Sequence, residues 1–242
     1  SAFLLNRSSD LLVKGCLTSA EANQAAAEAI IGKIPDAQVV QLPVSDGGEG
    51  FVEAFQVAMD GQLVEVNVKD PLMRPIAAQY LVQGDTAVIE TAKASGLTLL
   101  RPDERNPMAA TSYGTGQLVA DAVRRGCKSI IVGLGGSATS DCGIGMLRAI
   151  IDAFAKGESW DNVRELDDVR FTIATDVTNP LCGENGAAHV FAPQKFAIKR
   201  EQSKLDPVAG RKQTRLQVKG ASRDDVLALD APRVLHSDAH LD

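Results

Sequence analysis

SIIVGLGGSATSDCG, residues 129–143, runs from a short segment (Ser129 to Leu134) that reads as a fully buried strand straight into a glycine loop. An apolar run of that length without alternation is what a strand covered on both faces requires. A helical pattern from about Ile144 to Phe154 follows, so the unit is strand, glycine loop, helix. The same order occurs upstream, where QVVQLPV (38–44) leads into SDGGEG (45–50) and then a helix over Phe51 to Met59. Downstream, the apolar FTIAT (171–175) opens into DVTNPLCGENG.

The intervening sequence extends the pattern. Thr18-Ser19-Ala20-Glu21 has the spacing of a capping box ahead of an alanine-rich helix to about Lys33. Leu63 to Val68 alternates as a half-buried strand should, and Asp70-Pro71 turns the chain. Ile76 to Val82 and Thr86 to Ile89 predict a hairpin about Gln83-Gly84-Asp85. Gly116 to Arg125 reads as a helix ended by Gly126. Strands alternating with helices predict an α/β fold with a largely parallel sheet and an antiparallel portion near residues 62–90.

Composition narrows the function. The 242 residues carry a net charge of −6, with no basic stripe in the first 195, which argues against nucleic acid as a partner. No apolar run approaches a membrane span, and the N-terminal stretch does not read as a signal-peptide core. Cys16, Cys127, Cys142 and Cys182 form no C-x-x-C pair and only three histidines exist, so a zinc site is not expected. Scattered thiols fit a reducing compartment, and the expected location is cytoplasmic. Past Lys195 the chain holds nine Lys+Arg against seven Asp+Glu, with no clean period until Val226–Leu229.

In open α/β sheets, ligands bind where loops leave the carboxyl ends of strands. Three loops have that place: Ser45-Asp46-Gly47-Gly48-Glu49-Gly50, Gly133 to Asp141, and Asp176-Val177-Thr178-Asn179-Pro180. Glycines admit a phosphate close to the backbone, helix N-termini supply amides, and aspartates can hold Mg²⁺. Each loop also reads as a plain turn, and Asp141 as an N-cap worth about 1 kcal/mol. No Gly-Lys-Ser/Thr ending completes a Walker A loop, and Ala138 takes the last place of a G-x-G-x-x-G pattern. Thr111-Ser112-Tyr113-Gly114-Thr115-Gly116 offers further hydroxyls ahead of a helix. His189 reads as structural, and Trp160 carries no functional signal.

Together KGCLTSAEA (14–22), LPVSDGGEG (42–50), IETAKASGL (89–97), TSYGTGQL (111–118), IIVGLGGSATSDCGIGM (130–146) and DVTNPLCGENGAAHVFAPQK (176–195) resemble the bacterial-type glycerate kinase family. The resemblance implies a two-domain fold, a Rossmann/flavodoxin-like parallel sheet plus a second, inserted α/β domain, with the active site in the cleft between them. It implies ATP-dependent phosphorylation of glycerate with ATP and Mg²⁺, small-molecule partners, and a homodimer as an allowed assembly. Asp46, Asp141 and Asp176 would hold Mg²⁺ (Asp141 and Asp176 as its ligands) or accept the substrate proton. Gly135, Gly136 and Ser137 would cradle phosphate, with Ser45, Gly47, Gly48 and Thr115 as further binding positions. Lys14, Ser19 and Asn179 would orient glycerate or phosphate.

The expected division is 1–66 and 67–195 as two α/β units and 196–242 as a divergent tail. SAFLLNRSSDLLVK stands where the family opens with an Ala-Pro-Asp-Ser-Phe-Lys-type segment, and the match is expected to stop at Lys195, with the family's C-terminal part missing. An altered reading frame or a splice variant would produce such ends, and would weaken or remove activity. The alternatives are a non-catalytic nucleotide- or glycerate-binding protein and a dinucleotide-dependent oxidoreductase, the latter lacking an acidic residue placed for a ribose.

Overall fold

In the computed structural model, residues 2–7, 19–157, 159–195, 218–219, 235–237 and 240–241 are described. The elements are β1 (Ala2–Arg7), α1 (Ser19–Lys33), β2 (Gln38–Pro43), α2 (Phe51–Ala58), β3 (Gln62–Lys69), β4 (Pro75–Gln83), β5 (Thr86–Glu90), α3 (Thr91–Ser95), α4 (Tyr113–Arg124), β6 (Ser129–Gly133), α5 (Ile144–Phe154), β7 (Arg170–Ala174) and α6 (Ala187–Val190). Three short strands complete the order: β8 (Val218–Lys219), β9 (Leu235–Ser237) and β10 (His240–Leu241).

β6 shows why its centre, Ile130 to Val132, is apolar without alternation. Ile130 and Val132 enter the main core with Tyr80, Ile89, Leu118 and Ile150. Ile131, on the opposite face, packs with Phe51, Val52, Leu81 and Val88. Fully burying such a side chain contributes about 2 kcal/mol, which favours apolar residues at Ile130 and Val132 on one face and Ile131 on the other. β6 lies parallel between β5 and β7, with Ile131 opposite Val88 and Thr172. Parallel neighbours require crossovers, which α3 with α4 and then α5 supply.

The large sheet runs β3-β4-β5-β6-β7-β9. The 62–90 portion is antiparallel, as its turn chemistry predicts, and β9 pairs antiparallel with β7 on the far side. β1 and β2 form a separate two-stranded parallel sheet. The boundary expected after residue 66 falls inside β3, and α2 packs its Phe51 and Val52 against the large sheet. α4 begins at Tyr113, ahead of the expected Gly116. Gly114 and Gly116 belong in this helix because a Cβ would lie 1.9 Å from the Lys69 carbonyl oxygen or 2.3 Å from that of Met146. Among the described residues no helix is long and apolar enough to cross a membrane.

Candidate active site

The loops after β2, β6 and β7 meet at one edge. The Leu134 amide donates to the Ala174 carbonyl at 3.1 Å, and the Gly135 amide to the Gly47 carbonyl at 2.9 Å. Only glycine permits the crossing. A Cβ on Gly135 would stand 2.4 Å from Gly48 Cα, and Gly47 holds φ +92° with a would-be Cβ 2.5 Å from the Ala174 oxygen. These glycines bring backbone against backbone. The Gly47 amide donates to Ser45 Oγ (3.3 Å) and that of Gly48 to Asp46 Oδ1 (2.7 Å), so the amides of Gly47, Gly48 and Gly135 are all directed within the protein.

A cleft of about 770 Å³ opens beside this crossing. Asp46, Asp141, Asp176, Gly135, Gly136, Ser137 and Thr115 line it, whereas Ser45, Gly47, Gly48 and Asn179 do not. The Asn179 side-chain amide donates to the Asn185 carbonyl at 3.0 Å, bracing the loop after β7. The Thr115 hydroxyl is buried and shares a 2.8 Å hydrogen bond with Ser95 Oγ. Ser19 opens α1, and Lys14 lies outside the described residues.

The three aspartates differ in occupation. Asp141 Oδ2 accepts from the Ser112 amide (2.8 Å), the Ser112 hydroxyl (2.8 Å) and the Gly145 amide (3.0 Å), while Oδ1 accepts from Gly143 (3.1 Å). It thus satisfies amides that the start of α5 leaves unpaired and ties that helix to the start of α4. Asp46 uses Oδ1 on the Gly48 amide, and Oδ2 has no partner among the described residues. Asp176 is exposed at the cleft and likewise has no hydrogen-bond partner among them.

Two cleft residues of consequence have no site role assigned by their sequence motifs. Lys195, half-buried at the end of the helical turn after α6, donates from Nζ to Ser137 Oγ (3.2 Å) and to the Thr139 carbonyl. Burial pushes its pKa down to about 8, against the pull of the Asp141 carboxylate. Arg105, also half-buried, is the other cation in the lining among the described residues. Behind the site, Glu90 ends β5 at 1% exposure and accepts from the Val52 amide at the start of α2 (3.3 Å). Burial pushes its carboxyl up to about 7, opposed by Lys93. A glutamate closing the apolar run TAVIE was the available signal for it.

Among the described residues no three His, Cys, Asp or Glu side chains gather as a metal cage. Mg²⁺ bound together with phosphate oxygens needs only one or two protein carboxylates, a role that Asp176 would fill.

Fold and site together define a mixed α/β protein with glycine- and aspartate-bearing loops around a single-edge cleft. The model of the glycerate kinase family matches residues 12–226, and the chain belongs to that family. The match runs past Lys195, where the sequence reading ended it. The chain is 41% identical over 213 residues to a glycerate kinase of Haemophilus influenzae, covering 80% of this chain and 56% of that protein. It is 40% identical over 213 residues to the glycerate 2-kinase of Escherichia coli, with the same coverage of each. A crystal structure presented as that of a glycerate kinase 2 of Salmonella typhimurium LT2 superposes with a TM-score of 0.65 at 38% identity, covering 78% of this chain and 57% of that one. The chain therefore spans about half the length of the relatives it matches.

Proposed function

We propose that this cleft binds ATP and glycerate and transfers the γ-phosphoryl group to a glycerate hydroxyl. The observation that carries the reading is the arrangement of two carboxylates, Asp46 and Asp176, and the Lys195 ammonium around one glycine-loop cleft. Phosphoryl transfer asks little covalent work of a protein, and positioning with charge neutralisation supplies most of the rate. Lys195, held against Ser137 and Thr139, offsets charge on the phosphates. Asp46, oriented through the Gly48 amide, accepts the proton of the attacking hydroxyl as its oxygen bonds to phosphorus and ADP departs. Asp176 would hold Mg²⁺, whose charge would neutralise the phosphoryl oxygens. Asp141, expected as a metal ligand, is reassigned to positioning, since its Oδ2 already accepts three hydrogen bonds of 3.0 Å or less.

A two-unit organisation, with β1, α1 and β2 in one unit and the large sheet in the other, belongs to the same proposal. So do the cytoplasmic location and the homodimer.

The test is phosphorus NMR of the 242-residue protein with ATP, Mg²⁺ and D-glycerate, beside Asp46→Asn. Formation of ADP and phosphoglycerate, lost in the variant at unchanged melting temperature, is the expected result. Nucleotide and glycerate binding without turnover would mark a non-catalytic binding protein instead. Absence of both binding and turnover sinks the kinase reading.

A further inference from the structure

Among the described residues two cations line the cleft, Lys195 and Arg105, carried by different segments of the chain. Lys195 is bound to the glycine loop itself. Arg105 projects from the segment between α3 and α4, which is pinned to the same loop at both ends. Ser95 O accepts from the Ala138 amide (2.8 Å) and the Leu97 amide donates to Gly136 O (2.8 Å). At the far end, the Thr139 hydroxyl donates to Ala110 O at 2.9 Å. Arg105 stands mid-span between two locked turns. Before it, Glu104 accepts from the Arg101 amide and from Arg74. After it, the amides of Ala109 and Ala110 both donate to Asn106 O. Such bracing fixes the backbone from which the guanidinium extends, so little order is lost when a ligand binds.

An acceptor that carries a carboxylate needs a second anion site, separate from the one that neutralises phosphate. A planar guanidinium matches a carboxylate with two parallel hydrogen bonds, whereas a lysine acts as a point charge suited to phosphate. Resting on the kinase reading above, we propose that Arg105 binds the carboxylate of the acceptor, making it the residue that selects a hydroxy acid over a neutral polyol. The cleft is then polarised, with the phosphoryl donor against Lys195 and the acid end of the acceptor against Arg105.

The experiment is calorimetric titration of the full 242-residue protein, Arg105→Gln and Arg105→Lys with D-glycerate and with glyceramide, its neutral amide, in the presence of Mg²⁺ and a non-hydrolysable ATP analogue. The unsubstituted protein is expected to prefer D-glycerate. Arg105→Gln is expected to bind D-glycerate at least about tenfold more weakly, to lose the preference, and to keep its nucleotide affinity within about twofold. Should that variant not melt cooperatively, Arg105→Lys, which retains charge without the fork, decides: an intermediate loss is expected, and undiminished affinity overturns the proposal. Equal D-glycerate affinity in all three proteins removes Arg105 from the site and leaves the kinase reading standing. An unsubstituted protein that binds nucleotide but no D-glycerate sinks both.

Discussion

The amide of Gly135 donates to the carbonyl of Gly47 at 2.9 Å, so loops that lie far apart in the chain touch backbone to backbone at the rim of the cleft. A side chain at either position would force them apart. Gly135→Ala is expected to cost about 1–3 kcal/mol, since the new methyl meets main chain that cannot rotate away. For a chain of this size that lowers the melting temperature by roughly 3–10 °C. An unchanged melt in calorimetry would show that the loops separate freely.

Asp46 and Asp141 should part company under mutation. Asp141→Asn replaces an acceptor oxygen with a donor amide facing Ser112 and Gly145, and is expected to cost about 1–3 kcal/mol of stability. Asp46→Asn is expected to stay within about 1 kcal/mol while turnover drops about a hundredfold or more. Denaturant melts and a coupled ADP assay on both variants check the contrast; equal stability losses would contradict it.

Glu90 makes folding pH-dependent. Its folded carboxyl titrates at about 7 against an ordinary 4.5, so between those values the folded state holds a proton that the unfolded state has released. Stability then falls as pH rises through that window, by about 3 kcal/mol if other groups are constant. Glu90→Gln keeps an acceptor for the Val52 amide and removes the proton, so its stability should fall less from pH 5 to pH 8. Parallel pH profiles for the two proteins would show that Glu90 does not titrate in this range.

Lys195 should govern nucleotide affinity. Its pKa of about 8 predicts that ATP binding weakens as pH rises from 7 to 9, when the ammonium is lost. Lys195→Met is expected to bind ATP about tenfold more weakly and to show a flatter profile. Fluorescent-nucleotide titration across that range is the measurement, and identical profiles would exclude Lys195 from the phosphate site.

Much of this fold was legible because its strands are short apolar runs bounded by glycine loops. The α5 helix was expected over residues 144–154 and occupies them, and β6 and β7 fall within one residue of expectation. β1 was missed because Asn6 and Arg7 break its apolar pairs, although it pairs in parallel with β2 along its whole length. The start of α4 was missed because two glycines discourage a helix assignment, and only the closeness of Lys69 and Met146 explains them. In the site, the three loops announced themselves, since each follows an apolar strand. What Asp141 does could not be read, because its partner Ser112 lies 29 residues away and only folding brings the two together. The roles of Lys195 and Arg105 were equally illegible, since Lys195 merely closes the family-like run 176–195 and Arg105 lies in a loop with no motif that assigns it one.

The fastening of α4 to α5 through Asp141 carries an evolutionary constraint. One carboxylate serves donors from Ser112, Gly143 and Gly145, and a Cβ on Gly145 would lie 2.7 Å from its Oδ2 and 2.1 Å from Thr111 Oγ1. These positions are not free to drift one at a time. A lineage that loses the acid must find another anion for two helix starts at once, and one that enlarges residue 145 must first move Thr111 aside. Across the descendants of this chain, changes at 111, 112, 141 and 145 should therefore arrive together or not at all.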